Sequence, residues 1–423
     1  MLSRLIINGK RQLHGEIKVQ GAKNAVLPIL AASILASGKS EILNCPDLSD
    51  VSVAADILRS LGCSVDIKNN KVTVDSSNAD KYIIPCNLME KMRSSVMFLG
   101  AIISKTGRAV ITQPGGCDLG RRPIDMHIKA LKQLGVDIEE EQGVTVCFCD
   151  SIKPCKVALD FPSVGATENV MMATCISDGT TVLENPAKEP EIVDLQNFIN
   201  AMGGKINGAG TDCIVIEGVR KLKPVQFSVM PDRIACATYL SSVALCGGEI
   251  VVRDAESEHV KAVTDVLSNL GCLIKNYNDA LYLKSSGSLK ADALIETAVY
   301  PGFPTDAQPI ITSCLCCAQG KSLVKENIFL DRFRYVSELK KMGADINVVG
   351  MSAYINGVKE LYGAKVKAME LRGGAALVLA ALKAEGETEI SNINYIDRGY
   401  EKIEKVFSQL GAKIRRVADE KLQ

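Results

Sequence analysis

The feature that most constrains this chain is an internal repeat. A helix-like segment ending in Leu-Gly or Met-Gly recurs at Leu61-Gly62, Leu134-Gly135, Met202-Gly203, Leu270-Gly271, Met342-Gly343 and Leu410-Gly411. The interval is about seventy residues throughout, which marks a repeated supersecondary unit. Between these marks stands a second one, a glycine followed by a short β-branched strand. It reads GKSEI at Gly38, GRAVI at Gly107, GTTVL at Gly179, GGEIVV at Gly247, GKSLV at Gly320 and GETEI at Gly386. Each unit opens with a small-residue apolar helix, such as residues 24–36 or 375–384. The glycine is expected to end that helix with a left-handed cap. A strand and a polar loop follow. A second helix carries Val53, Ile57 and Leu61 at three- and four-residue spacing. Alternating strands such as 65–67 and 72–74 close the unit. One unit cannot bury its helix faces and its sheet face alone, so several must share a core.

Six α/β units in 423 residues exceed what one core supports and imply two halves of three units. The boundaries expected are 23–230 for the first domain, and 1–22 with 231–423 for the second. A strand near residues 5–19 is left over and is expected to join the second half. A cleft between halves is the usual place for a ligand.

Lys plus Arg equals Asp plus Glu at 49 each, which argues against nucleic acid as the main partner. A local cluster of cations would still hold a small polyanion. The first helix of each unit follows a strand, and its free N–H groups make an anion site. Charged residues stand at several of these starts: Lys23, Arg93, Arg233, Asp306 and Arg372. Any one of them reads equally as a surface ion pair. Recurrence at equivalent places points instead to a cationic cleft with one carboxylate in it. Arg332, Arg334 and Arg398 lie in loops of later units, and arginine suits bidentate recognition of carboxylate and phosphate.

Fifteen cysteines without framework spacing read as free thiols of a reducing cytosol. Cys147, Cys149, Cys314, Cys316 and Cys317 read as small buried hydrophobes. With only His14, His127 and His259, no zinc set is completed. Cys117 differs. It lies in PGGCDLGRRPIDMH, residues 114–127, whose Gly and Pro density marks a loop, with Arg121 and Arg122 close by. Exposure and nearby cations favour the reactive thiolate. The opening MLSRLIINGK is too short and polar for a signal peptide, and no apolar run is long enough to span a bilayer. A cytoplasmic protein is expected.

Taken together, GAKNAVLPIL, KMRSSV, PGGCDLGRRPIDMHI, SVGAT, EPEIVD, MPDRI, FPTDAQ, DRFRYVSELKKMGADI and IDRGYEKIE carry a resemblance over nearly the whole chain. The chain resembles the UDP-N-acetylglucosamine 1-carboxyvinyltransferase family, relatives of 5-enolpyruvylshikimate-3-phosphate synthase. The resemblance implies an inside-out α/β barrel, two domains of three βαβαββ repeats each, and an active site in the interdomain cleft. It implies transfer of the enolpyruvyl group of phosphoenolpyruvate to the 3-hydroxyl of UDP-N-acetylglucosamine with release of phosphate, the first committed step of peptidoglycan synthesis. It implies no metal or organic cofactor, and neither nucleic acid nor membrane as a partner.

Residue by residue, the resemblance implies catalytic roles for Cys117, Asp306, Lys23 and Arg398. Cys117 matches a loop cysteine that acts as general acid and is the target of fosfomycin in the family. Lys23, Asn24, Arg93, Arg122, Arg332, Arg372 and Arg398 match residues that hold phosphoenolpyruvate. The sugar nucleotide falls to Asn24, Arg93, Arg122, Pro123, Asp125, Met126, His127, Ser163, Val164, Gly165, Asp306 and Ile328. The chain departs from the family at Met97, where a larger residue is frequent, and at Asp118, which sets a carboxylate beside the thiol. Asp306 is the only acid expected at a helix start in the cleft, so it is the expected acceptor of the sugar hydroxyl proton. Two other readings compete. The shikimate-pathway relative would take a phosphorylated carbocycle, but that branch lacks the loop cysteine. A non-catalytic binder of nucleotide-sugar would have no need of a thiol beside arginines.

Overall fold

The central strands alternate buried and part-exposed residues. Cys213–Glu217 and Val144–Phe148 each bury their second and fourth side chains. Such a sheet keeps one face for a core and one for water. The helices that cover the inner faces are apolar nearly all round. Gln308–Cys316 is buried at every position, as are residues 372–382 of Leu371–Lys383. Helices of that kind belong inside. The computed structural model describes residues 3–112, 115 and 124–418, without the side chains of Arg93 and Asp292, and places its helices within and its sheets outside.

Two compact units result, one from the described residues of 21–230 and one from residues 3–20 and 231–418. Each has its own hydrophobic core. The described strands form six sheets, five of four strands and one of three. A parallel edge strand recurs: Gln226–Ser228 beside Lys39–Leu43, Lys156–Ala158 beside Thr180–Glu184, Lys290–Glu296 beside Gln319–Lys325. Lys365–Lys367 beside Glu387–Ser391 is a further case, and within each sheet the remaining central pairings, such as Thr180–Glu184 with Cys213–Glu217, are antiparallel. In the three-stranded sheet Ile83 makes a single parallel bridge to Val110 where the others have their fourth strand.

The N-terminal segment differs from the single strand expected over 5–19. It forms two strands, Ser3–Asn8 and Leu13–Lys18. The first lies between Glu387–Ser391 and Lys413–Ala418 and completes the last repeat. The second is the parallel edge of Gly248–Arg253. The break comes at Gly9, where any Cβ would stand 2.2 Å from the Ala384 carbonyl oxygen, and at Lys10, whose φ is 56°.

The glycine caps also differ from expectation. Gly107 does end its helix, Phe98–Thr106, in the left-handed region. Helix Lys23–Ala32 instead tightens into a short 3-10 turn, Ser33–Leu35, and stops before Gly38. The core helices start at the charged residues expected. Lys23 opens Lys23–Ala32, Arg233 opens Arg233–Cys246, and Arg372 is second in Leu371–Lys383. Arg93 opens the 3-10 turn Arg93–Met97 and Asp306 is central in Thr305–Ala307, each leading into a core helix. No helix among the described residues is long and apolar enough to cross a membrane.

Candidate active site

In the unit of residues 3–20 and 231–418, three helix starts meet. Asp306 Oδ2 accepts from Arg372 Nε at 3.1 Å and Nη2 at 3.0 Å, while Oδ1 accepts from Arg332 Nη2 at 3.0 Å. The two arginine side chains are 3% and 1% exposed and that of Asp306 is 29% exposed, so the acid is the open edge of the cluster. Burial alone would push the Asp306 carboxyl up, but the Arg372 and Arg332 guanidinium groups hold it below the usual carboxylate range. Arg233 adds to that field.

Three side chains and one backbone carbonyl that sequence reasoning missed fix these groups. Glu370 caps its helix by accepting from the Arg372 and Gly373 amides, and lies 3.8 Å from Arg332 Nη1. Arg332 also donates twice to the Thr305 carbonyl, at 3.1 and 2.8 Å. Glu326 is fully buried and accepts from Thr305 Oγ1 and from the Ile328 and Phe329 amides. The Tyr400 ring centroid lies 5.5 Å from Arg372 Cζ, and its hydroxyl bonds Thr238 Oγ1. Asp306 stands at the start of its helix, as expected. Glu370 and Asp232 stand at such starts too, but their carboxylates cap the amides of their own helices. Ile328, one of the residues expected to meet the sugar nucleotide, gives its amide to Glu326 at 2.9 Å.

Arg398 ends the 3-10 turn Ile393–Arg398 and is half-buried. The turn is clamped on both sides. Arg416 holds Asp397 at 2.8 and 2.6 Å, and Gln20 bonds the Gly399 carbonyl and the Glu401 amide.

In the unit of residues 21–230, Lys23 Nζ meets Asp50 Oδ2 at 2.7 Å, with the two residues 8% and 2% exposed. A buried cation of this kind needs such a partner. Asn24, next to it, is partly exposed. Ser163 caps Val164–Thr174 by accepting from the Ala166 amide. Asp125, Met126 and His127 open the helix Asp125–Gln133, and His127 is buried against Asn169, 2.7 Å from ring Nδ1 to amide Nδ2. Burial drives two other acids up. Glu168 sits well above the usual range, with Glu191 and Glu189 adding to the effect, and Asp194 rises from 3.8 to about 6. Cys117, Arg122, Pro123, Arg121 and Asp118 lie outside the described residues. The fourteen described cysteines are free thiols. Burial raises Cys147 and Cys175 to about 12 and puts Cys314 well above its usual value, as befits packing residues.

Comparison with known proteins fits this arrangement. Residues 7–407 match the family model described as EPSP synthase (3-phosphoshikimate 1-carboxyvinyltransferase). The chain is 49% identical over 416 residues to UDP-N-acetylglucosamine 1-carboxyvinyltransferase 2 of Caldanaerobacter subterraneus subsp. tengcongensis, covering 98% of this chain and 100% of that one. It is 44% identical over 420 residues to UDP-N-acetylglucosamine 1-carboxyvinyltransferase of Trichlorobacter lovleyi, covering 99% and 100%. In fold it is similar to the enolpyruvyl transferase NikO from Streptomyces tendae, with a TM-score of 0.89 at 24% identity, covering 99% of this chain and 100% of that one. An EPSP synthase from Acinetobacter baumannii gives 0.75 at 18%, with the same coverage. The fold likeness and the full-length identities agree, and the chain belongs to the UDP-N-acetylglucosamine 1-carboxyvinyltransferase branch of the EPSP synthase family.

Proposed function

We propose that this chain transfers the enolpyruvyl group of phosphoenolpyruvate to the 3-hydroxyl of UDP-N-acetylglucosamine, releasing phosphate. On this reading it acts in the cytoplasm at the first committed step of peptidoglycan synthesis. The observation that carries the reading is Asp306 held between two buried arginines, in a chain whose relatives are named for that transfer.

The chemistry is addition followed by elimination. Cys117 gives a proton to the substrate methylene, which leaves positive character on the carbon that bears phosphate. The sugar oxygen attacks that carbon, and its hydroxyl proton passes to Asp306. The Cys117 thiolate then takes a proton back from the methyl group, which restores the double bond as phosphate leaves with the electron pair of its bond to carbon. Lys23, Asn24, Arg93, Arg122, Arg332, Arg372 and Arg398 hold the anionic groups, which lowers the entropic cost of gathering two substrates and stabilises the departing phosphate. Asn24, Asp125, Met126, His127, Ser163 to Gly165 and Ile328 serve the sugar nucleotide.

Asp306 is a poor base while both arginines bind it. The phosphate and carboxylate of phosphoenolpyruvate compete for those guanidinium groups. Their binding weakens the hold on Asp306 and raises its basicity, so the acid is activated when the second substrate is present.

Phosphate release, measured with phosphoenolpyruvate and either UDP-N-acetylglucosamine or shikimate 3-phosphate, tests the reading. Release with the sugar nucleotide alone is expected. Release with only shikimate 3-phosphate overturns the acceptor, and release with neither overturns the activity. Cys117→Ala should slow turnover by about a hundredfold or more. Full activity in that variant removes the thiol from the acid role.

A further inference from the structure

Asn169 lies on the helix Val164–Thr174 and is fully buried. Its Oδ1 accepts from the Gly100 amide at 2.6 Å, and its Nδ2 donates to the Val96 carbonyl at 3.1 Å. Turning the side-chain amide over would set donor against donor at Gly100 and acceptor against acceptor at Val96. The backbone therefore fixes which way the amide points. Nδ2 also lies 2.7 Å from His127 Nδ1. A donor at that place needs Nδ1 as its acceptor, which leaves the ring proton on Nε2.

The ring is confined from a second side. A Cβ built at Gly165 would stand 2.7 Å from His127 Cε1 and 3.1 Å from Nε2. Only glycine lets the imidazole lie so close to the first turn of Val164–Thr174. Ser163 takes the Ala166 amide, while the Val164 and Gly165 amides precede the first intrahelical bond, and amides in that place favour anionic oxygen. The Nε2–H edge thus lies beside a set of backbone donors.

We infer that Asn169 is a positioning residue that fixes His127 as the neutral Nε2–H tautomer, making the ring a donor toward the phosphate-bearing part of the nucleotide ligand. The inference rests on the reading of His127 and Ser163 to Gly165 as sugar-nucleotide contacts. It adds a residue that makes no ligand contact of its own, and it assigns the ring a protonation state.

Histidine-selective nitrogen-15 NMR on the whole ligand-free enzyme tests it directly. The chain has three histidines, and His127→Gln identifies the signal of interest. The expected wild-type spectrum has Nε2 protonated and Nδ1 bare. Asn169→Asp puts a carboxylate against Nδ1 and should draw the proton there. A protonated Nδ1 in the wild type overturns the inference, as does an Asn169→Asp spectrum with unchanged His127 signals. In kinetics, Asn169→Ala should raise KM for UDP-N-acetylglucosamine by about tenfold, the loss expected for one hydrogen bond to a charged group, with KM for phosphoenolpyruvate within about twofold. In a His127→Ala background the same change should add less than about twofold. Full additivity, or equal losses for both substrates, would place Asn169 in helix packing alone. The NMR result stands apart from the acceptor assay, so failure of the proposed activity and failure of this inference are separate outcomes.

Discussion

The two units share a frame and treat carboxylates on their helices differently. In residues 3–20 and 231–418 the starts gather charge, with Asp306, Arg332, Arg372 and Glu370 in mutual contact and the Asp306 carboxyl held low by its arginines. In residues 21–230 two acids go the other way. Glu168 and Asp194 are pushed up by burial, and Asn169 meets the imidazole of His127. Lys23 and Asp50 are the buried ion pair of that unit's first helix start. The repeat therefore specifies where a side chain is presented, and the neighbours decide whether it is charged.

The largest effect should come from removing the acid in the charged cluster. Asp306→Asn keeps the shape of the side chain and loses its charge. On the proposed mechanism kcat should fall by roughly a thousandfold, within the range for loss of a general base. Binding of UDP-N-acetylglucosamine, followed by calorimetry, should weaken far less. Near-normal kcat in Asp306→Asn would mean that the cluster is structural and that the contrast between units has no catalytic meaning.

Asp50→Ala probes the other unit. It takes the Asp50 carboxylate away from the buried Lys23 ammonium, a change that typically costs about 3–5 kcal/mol. Denaturant unfolding should show the loss. A stable Asp50→Ala protein would show that Lys23 keeps its place through its other contacts.

The pH response should separate the units further. The folded carboxyl of Asp306 lies below its usual range, so its contribution is present above the unfolded value and lost as pH falls. Asp194 has the reverse sign. Its folded value is raised from 3.8 to about 6, so its ionisation costs stability as pH rises through that window. Asp194→Asn retains an acceptor for the Met230 amide and cannot ionise. It should be more stable than wild type at pH 8 by on the order of 2 kcal/mol, with the gain vanishing near pH 4. Equal unfolding midpoints for variant and wild type at pH 8 would remove Asp194 from the group of acids raised by burial.

Much of the fold was legible because it is periodic. The Leu-Gly and Met-Gly marks located the units, and the charged helix starts followed from sequence position alone. The partners of those charges were not legible. Asp306 meets Arg332 across 26 residues and Arg372 across 66, while Asn169 reaches His127 across 42. No local pattern encodes such separations. Only the fold shows Glu326 buried, with both carboxylate oxygens engaged. The N-terminal strands were misjudged for a similar reason. A four-residue break at Gly9 is set by the close approach of another helix, not by local propensity.

The smallest expected effect tests whether the charged unit needs its carboxylates for charge or for hydrogen bonds. Glu326 sits 3.0 Å from Thr305 Oγ1 and holds the Ile328 and Phe329 amides at 2.9 and 3.1 Å. In Glu326→Gln the side-chain oxygen can keep both amides. The new N–H₂ then faces Thr305, whose hydroxyl can turn and accept. The turn that carries Asp306 should stay in place, with a stability loss of about 1 kcal/mol and a rise in KM for phosphoenolpyruvate of about threefold. Glu326→Ala cannot do this. It strands two buried amides and a hydroxyl, and should lose about 2–4 kcal/mol with a larger fall in kcat/KM. If Gln proves as damaging as Ala, the negative charge beside Arg332 matters more than the bond pattern. In that case the charged unit depends on balanced charge even where no substrate is touched, unlike Glu168 and Asp194 in residues 21–230, which burial drives toward neutrality.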